Sequence, residues 1–335
     1  MIYENVNNSD SAHIDETSDK EVVMQQFHNI LFVSRGTGDE TESLKQALSL
    51  ARNNQVPLEV LVVSPEFPAD LADYEKAFQD SLAERVKKSI QVARTTLNLG
   101  EADLPINVEF ESGGTPAIRI VRHVLRNAHD LVVKGAEPAE SSKGFKAMDM
   151  ELLRKCPCPV WLCRPIERSR DNIRVAVAID PQSEEQAGHD LARRLLQLSR
   201  SLADTCSGEL SIISCWDYPL EEYLRGNVWI KMSEGDLHKT VMDAQARHGA
   251  ELEALIRESD IGGKYHRHHV RGRPDQLIPT FIEDKKIDIL VMGTVARTGI
   301  PSFTMGNTAE NVLQKVSCSL LAVKPNGFIS SVRAY

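Results

Sequence analysis

The chain has 335 residues, a formal net charge of −9 and 41% hydrophobic residues, more sequence than one core usually serves, so two domains of roughly 150 residues are expected. The acidic balance leaves no basic face for nucleic acid or an anionic membrane, and no apolar run approaches the roughly 20 residues that cross a bilayer. Residues 1–26 are polar and acidic, without the basic start and apolar core of a signal peptide, so the chain is expected to be cytoplasmic and to bind neither nucleic acid nor membrane.

In chain order, residues 1–26 read as a mobile acidic tail, with too little apolar surface to offset the entropy of ordering it. The apolar run Asn29-Ile-Leu-Phe-Val-Ser-Arg35 predicts a first strand, followed by a helix and a second apolar strand. A long helix then carries Tyr74, Phe78, Leu82, Val86, Ile90, Ala93 and Leu97 at helical spacing, a stripe that should face the core. After a third strand, Gly114-Thr-Pro116 opens an apolar helix that leads into the strand Asp130-Leu-Val-Val-Lys-Gly135. A further helix and the strand in Cys158-Pro-Val-Trp-Leu-Cys-Arg-Pro165 complete this stretch.

The short charged connection Glu167-Arg-Ser-Arg-Asp171 follows, and then the same order returns. Arg174-Val-Ala-Val-Ala-Ile-Asp180 repeats the first strand, and a long helix over about 236–258 carries Leu237, Val241, Ala244, Leu252 and Leu255. Gly272-Arg-Pro274 and Asp288-Ile-Leu-Val-Met-Gly293 stand 158 residues after their counterparts, 274 minus 116 and 293 minus 135 giving the same offset. A helix from Ala309 to Lys315 and the strand in Cys318-Ser-Leu-Leu-Ala-Val-Lys-Pro325 close the second copy, and residues 326–335 read as a second mobile tail.

Short strands that are apolar on both faces and alternate with helices imply a parallel sheet covered on both sides. The fold class is therefore α/β: two tandem doubly wound, Rossmann-like domains, each with a five-stranded parallel sheet, over residues 27–166 and 172–325. Five residues cannot span far, so the domains should lie side by side. Their last strands, Val160-Trp-Leu-Cys163 and Leu320-Leu-Ala-Val323, are apolar edges that need covering.

In such a sheet ligands sit beyond the carboxyl ends of the strands, at the topological switch point, so the residues just after strands are the informative ones. The second copy has Asp180 after its first strand, where the first copy has Arg35. Both keep glycine after the fourth strand, Gly135 and Gly293, and diverge beyond it. In the second copy residues 293–308 join strand to helix in an open, glycine-spaced loop, and unpaired N–H groups at a helix start suit an anion. Aligning the last helices sets Lys146, Ala147 and Met148 opposite Gly306, Asn307 and Thr308, with Glu137 and Glu140 nearby, so the first copy is expected to have lost the pocket. Asn307 and Glu310 also form a capping-box-like pair that would fix the helix start without any ligand.

These residues resemble the universal stress proteins, and within them the tandem, E-type branch, over about residues 27–325. Members with a nucleotide site carry Gly, two residues, Gly, nine residues, Gly, then Ser or Thr. The frame here is Gly293, Ala296, Gly306 and Asn307, with the spacing kept, two of the four positions changed, and Thr308 next. The branch is similar at Ala296-Arg-Thr-Gly-Ile300 and Gly306-Asn-Thr-Ala-Glu310, and in the first copy at Asp149, Leu152-Leu-Arg-Lys-Cys156 and Pro159-Val-Trp161. The resemblance implies an ATP or other adenine nucleotide site in the second domain. Asp180 would face the adenine or ribose, Cys215 would sit by the base, and Gly293, Ala296, Gly306, Asn307 and Thr308 would face the phosphates, with Arg297 as a further cofactor-binding residue. It also implies a stress-response role, and pairing of the domains through their last strands as a pseudo-dimer, with two chains then able to form a homodimer. A Mg²⁺ ion could accompany the nucleotide, although the loop supplies no acidic ligand for it.

No His or carboxylate is placed by spacing to activate water, so the chain is not expected to be an enzyme beyond slow ATP hydrolysis. A scaffold that binds a protein or apolar ligand is the competing expectation, favoured by Ala296, Asn307 and the altered first copy. His266 and His268 should point to one side of a strand and His269 to the other, two imidazoles short of a third metal ligand. Trp216, Tyr218, Tyr223 and Trp229 fit either a flap over the cleft or the tethering of a long loop. The six cysteines follow no zinc or disulfide spacing, and Cys156, Cys158 and Cys163 read as reduced packing thiols.

Overall fold

Short apolar runs alternating with amphipathic helices give, in the computed structural model, one twisted sheet covered on both faces. Residues 26–137, 143–183, 185–226, 229–230, 232–295 and 305–335 are described. The first half runs β1 (Ile30–Ser34), α1 (Thr41–Asn54), β2 (Leu58–Ser64), α2 (Ala72–Thr96), β3 (Ile106–Ser112), α3 (Pro116–Asn127), β4 (Leu131–Gly135), α4 (Ala147–Lys155) and β5 (Val160–Cys163). The second runs β6 (Arg174–Ala178), α5 (Gln186–Thr205), β7 (Glu209–Trp216), the short α6 (Leu220–Leu224), α7 (Glu234–Glu258), β8 (Tyr265–Arg271), α8 (Pro274–Lys285), β9 (Ile289–Gly293), α9 (Asn307–Leu313) and β10 (Ser319–Val323).

The strand order is β3-β2-β1-β4-β5-β10-β9-β6-β7-β8. Strands pair in parallel within each half, whereas β5 meets β10 antiparallel with Trp161 opposite Leu321, so the two five-stranded units form one ten-stranded sheet. Side chains alternate between faces. Ile30 and Phe32 pack under α1 and α2 with Leu82 and Val86, and Leu31 and Val33 pack under α3 and α4 with Ile120 and Leu153. In the second half α5 and α7 continue the first layer, and α8 and α9 the second.

A matching carboxylate holds the start of each half's first strand. Asp130 accepts from the His28 and Asn29 backbone N–H groups at 2.7 and 3.0 Å. Asp288, 158 residues later, accepts from the Arg174 N–H at 2.9 Å and meets Arg168 of the connection at 3.1 Å.

Several expectations need correction. β3 and β8, the outer strands, are not apolar on both faces; Phe110 is 45% exposed, and charged or imidazole side chains fill most of β8, which blunts both sheet edges. In the α2 stripe, Leu82, Val86, Ile90 and Ala93 are buried but Tyr74 stands in solvent. His248 fills the stripe of α7 between Val241 and Leu252. Of the expected N-terminal tail, residues 1–25 lie outside the described residues. The C-terminal residues do not hang free: the Ser330 hydroxyl donates to the Lys155 carbonyl at 2.7 Å, and Val332 packs on the α4 side of the core. Among the described residues no helix is long and apolar enough to cross a membrane.

Candidate functional site

β6 leads outward through β7 to β8, while β9 and β10 lie on its other side, so the order reverses between β6 and β9. At the carboxyl end of that junction lies a cavity of about 820 Å³, within the ~300–1,000 Å³ typical of small-molecule sites. β6 brings Asp180, β7 brings Cys215, β9 brings Gly293, and the start of α9 brings Gly306, Asn307 and Thr308. Ala296 and Arg297 lie outside the described residues.

Asp180 is exposed at the rim, and its carboxylate accepts from the Gln182 N–H at 3.0 Å. Cys215 is half-buried, and burial pushes its thiol up to about 11, so at neutral pH it is an uncharged, weakly polar wall. Ser214 turns to the opposite face and is fully buried, which settles the register of β7. Gly293 has a packing reason of its own: a Cβ there would stand 3.1 Å from Leu191 Cδ2 on α5. Gly135 meets Ser43 of α1 at the same distance, so both halves keep this glycine for helix-on-strand contact.

The capping expectation needs correction. Gly306, not Asn307, occupies the cap position of α9, with extended backbone (φ −68°, ψ 141°) and no side-chain cap bond. Asn307 is one step inside the helix and exposed with Thr308, while Glu310 reaches across to Arg154 of α4. Neither side chain is spent on holding the helix end, and both line the cavity.

Charge is the other side of the site's chemistry. Among the described residues the lining includes Asp180 and Glu185 but no lysine or arginine. An anion entering the cavity would therefore meet main-chain N–H groups at the start of α9 rather than a cationic side chain. Pro325, Asn326, Gly327, Phe328 and Ile329 form a further wall that the sequence reading missed. A Pro-Asn-Gly turn was its available signal: the Phe328 N–H bonds to the Pro325 carbonyl at 3.2 Å, with Gly327 at φ 82°. Trp216, Tyr218, Tyr223 and Trp229 are not among the lining residues. Trp216 packs with Leu237 and Val241 as a tether, and Trp229 is 93% exposed.

The corresponding place in the first half is occupied by the chain's own charges. Lys134 donates to Asp149 at 2.7 Å with both side chains buried, and Asp149 also accepts from the Glu137 N–H at 2.8 Å. Arg35 meets Glu137 at 3.0 Å. Met292 and Ala309 stand in the second half where Lys134 and Asp149 stand in the first. Glu140 lies outside the described residues.

The imidazoles split as their alternation predicts. His269 stacks on His248 of α7 with ring nitrogens 3.0 Å apart, and His268 sits edge-on to Phe281 of α8 at 4.7 Å. None of the six cysteines forms a disulfide; Cys156 and Cys158 are buried with sulfurs 3.5 Å apart.

The chain matches the universal stress protein family twice, over residues 26–164 and 173–324. It is 26% identical over 323 residues to universal stress protein E of Photorhabdus laumondii, spanning 93% of this chain and 99% of that one. Against universal stress protein E of Escherichia coli K12 it is 27% identical over 318 residues, 92% and 98% of the two chains. Among solved structures, a Pseudomonas aeruginosa protein of this designation is similar with a TM-score of 0.65 at 22% identity, over 91% of this chain and 96% of that one. A universal stress protein from Archaeoglobus fulgidus gives 0.57 at 18% identity, over 89% and 99%.

Proposed function

The chain belongs to the universal stress protein family, in its tandem, E-type arrangement, and on that premise we propose that its second half binds an adenine nucleotide, ATP or AMP, as part of a cytoplasmic stress response. The observation that carries this is the convergence of Asp180, Cys215, Gly306, Asn307 and Thr308 on one cavity at the switch point of the second half. The Asp180 carboxylate is suited to a ribose hydroxyl or the adenine amino group, Cys215 to the face of the base, and the N–H groups and side chains of Asn307 and Thr308 to phosphate oxygens. The family resemblance adds Ala296 and Arg297 to the set. The first half is a structural pseudo-copy, its equivalent place held by the Lys134–Asp149 pair, and the β5–β10 seam serves as an intramolecular pseudo-dimer interface.

Equilibrium titration of the purified chain with labelled ATP tests this, and absence of binding at up to millimolar ligand removes it. Gly306→Asp separates binding from folding. The backbone of Gly306 is extended and starts a helix, where aspartate is a favourable cap, so the variant should melt no lower than the parent. Its carboxylate would face the phosphates and should weaken ATP binding at least ~10-fold, about 1.4 kcal/mol.

A second reading is a scaffold that takes an apolar small ligand or protein segment in the same cavity. The lining favours it, with Phe328, Ile329, Leu191 and Ile278 present and no cation among the described residues. Saturable binding of an apolar fluorophore that ATP fails to displace would select it. Multiple turnover of ATP by the purified chain would instead revive slow hydrolysis.

A further inference from the structure

At the opposite end of the first half, near the start of β2 and β4, three groups with metal-ligand chemistry converge. Glu59, His123 and His129 offer ligand atoms all within 4.8 Å of one another. Glu59 Oε1 lies 2.5 Å from His123 Nε2 and 3.4 Å from His129 Nε2, and the two rings stack at 5.5 Å between centroids. On its other side His123 Nδ1 is 3.3 Å from Glu111 Oε1, which Arg126 holds at 2.7 Å.

A carboxylate beside buried imidazoles is most simply a counter-charge, and for His123 that account suffices. It fails for His129. That side chain is wholly buried, and its 3.4 Å approach to Glu59 lacks hydrogen-bond geometry, so neither ring nitrogen has a hydrogen-bond partner among the described residues. A buried imidazole held only by a loose 3.4 Å ion pair and a ring stack has lost its hydration for little in return.

The second half shows that the fold does not require ionisable groups here. With the offset of 158, His123 and His129 correspond to Phe281 and Ile287, both buried in apolar core. Glu59, beside Leu31 in the sheet, corresponds to Ser211, beside Ala176. The same junction is thus built from two apolar side chains and a serine in one copy, and from two imidazoles and a carboxylate in the other.

We propose that Glu59, His123 and His129 bind a divalent transition-metal ion of the zinc type. Two imidazoles and one carboxylate form a donor set that suits Zn²⁺, with a fourth position for water on the partly exposed Glu59 side. Two ligands ~2.1 Å from one tetrahedral ion stand ~3.4 Å apart, the separation of His129 Nε2 and Glu59 Oε1; His123 Nε2, now 2.5 Å from that oxygen and 3.0 Å from the Asn127 amide, would draw back by about 1 Å and exchange both contacts for the ion. Glu111 orients His123 through its far nitrogen, as a carboxylate behind a metal-bound imidazole does. The ion would clip β2, α3 and the turn into β4 together, a structural rather than a catalytic role.

The test uses the untagged full chain, stripped with a chelator and titrated with Co²⁺ as the visible probe, then challenged with Zn²⁺. One Co²⁺ per chain is expected, with the absorption of a four-coordinate site, displaced by Zn²⁺, and with a melting temperature that rises with ion concentration. His129→Ala should abolish binding. Glu59→Gln, nearly the same shape and therefore safe for folding, should weaken it at least tenfold. Failure of the parent chain to bind saturably overturns the proposal, as does binding that both variants leave unchanged. So does loss on His248→Ala, which would assign the ion to the His248–His269 pair.

Discussion

Lys134 and Asp149 show how one buried position decides a half's character. The pair lies wholly inside the protein, where removing one partner leaves an uncompensated charge and typically costs 3–5 kcal/mol. Asp149→Ala should therefore lower the urea-unfolding free energy by about that amount. Lys134→Met with Asp149→Ala, the combination that Met292 and Ala309 use in the second half, should recover most of it. Lys324 is a different case, with its ammonium buried against the Cys156 carbonyl and 4.5 Å from the Phe328 ring. Burial pushes its pKa down to about 8 from 10.5. The folded chain therefore releases this proton at a lower pH than the unfolded chain, so the lysine is a net cost below pH 8 that fades as pH rises toward 10.5. Lys324→Met should be more stable than the parent at pH 7, by up to ~3 kcal/mol. The difference should shrink between pH 8 and 10.5, measured by denaturation at a series of pH values.

Among the elements, the C-terminal segment is the one whose placement changes the functional reading. Its Pro-Asn-Gly turn brings Phe328 and Ile329 against the cavity that also holds Asp180 and Gly306, and the Asn326 side chain accepts from Arg194 at 3.2 Å. If this wall competes for the space a nucleotide needs, a chain ending at Pro325 should bind ATP at least as tightly as the full chain by calorimetry. Weaker binding would make the segment part of the binding surface. The long helices show how far periodicity carries. The α7 spacing points to Leu237, Val241, Ala244, Leu252 and Leu255, of which all but the half-buried Ala244 are buried, yet His248 completes the stripe because its ring finds His269 across the packing layer. Tyr74 has the right spacing and stays in solvent, so spacing alone does not say how far along a helix the core extends.

For the whole molecule, the antiparallel β5–β10 seam matters most. Cores on both faces run through it, with Trp161 and Leu321 on one side and Leu162 and Leu320 on the other. Each half alone would expose this apolar edge. Because β5 and β10 are equivalent strands meeting antiparallel, the seam is nearly self-complementary. Residues 26–169 expressed alone should therefore form a dimer by light scattering, and Trp161→Lys should shift that dimer toward monomer or aggregate. In the full chain the connection at 167–171 makes the same pairing intramolecular, so its entropic cost is small.

What the sequence by itself determined was everything written in local pattern. Strand and helix order, the duplication at an offset of 158 and the parallel sheet follow from apolar periodicity and from glycine and proline punctuation, which need no distant partner. Asp180, Gly293 and the helix start at Gly306, Asn307 and Thr308, which gather in the cavity, were legible because the fold class fixes where strands end and helices begin, and the family resemblance added Cys215. Tertiary structure alone decided which buried groups meet. That Glu310 reaches Arg154 instead of capping α9, that the C-terminal turn walls the cavity, and that His129 is buried beside Glu59 without a hydrogen bond depend on distances between segments far apart in the chain. A local pattern carries no information about those distances.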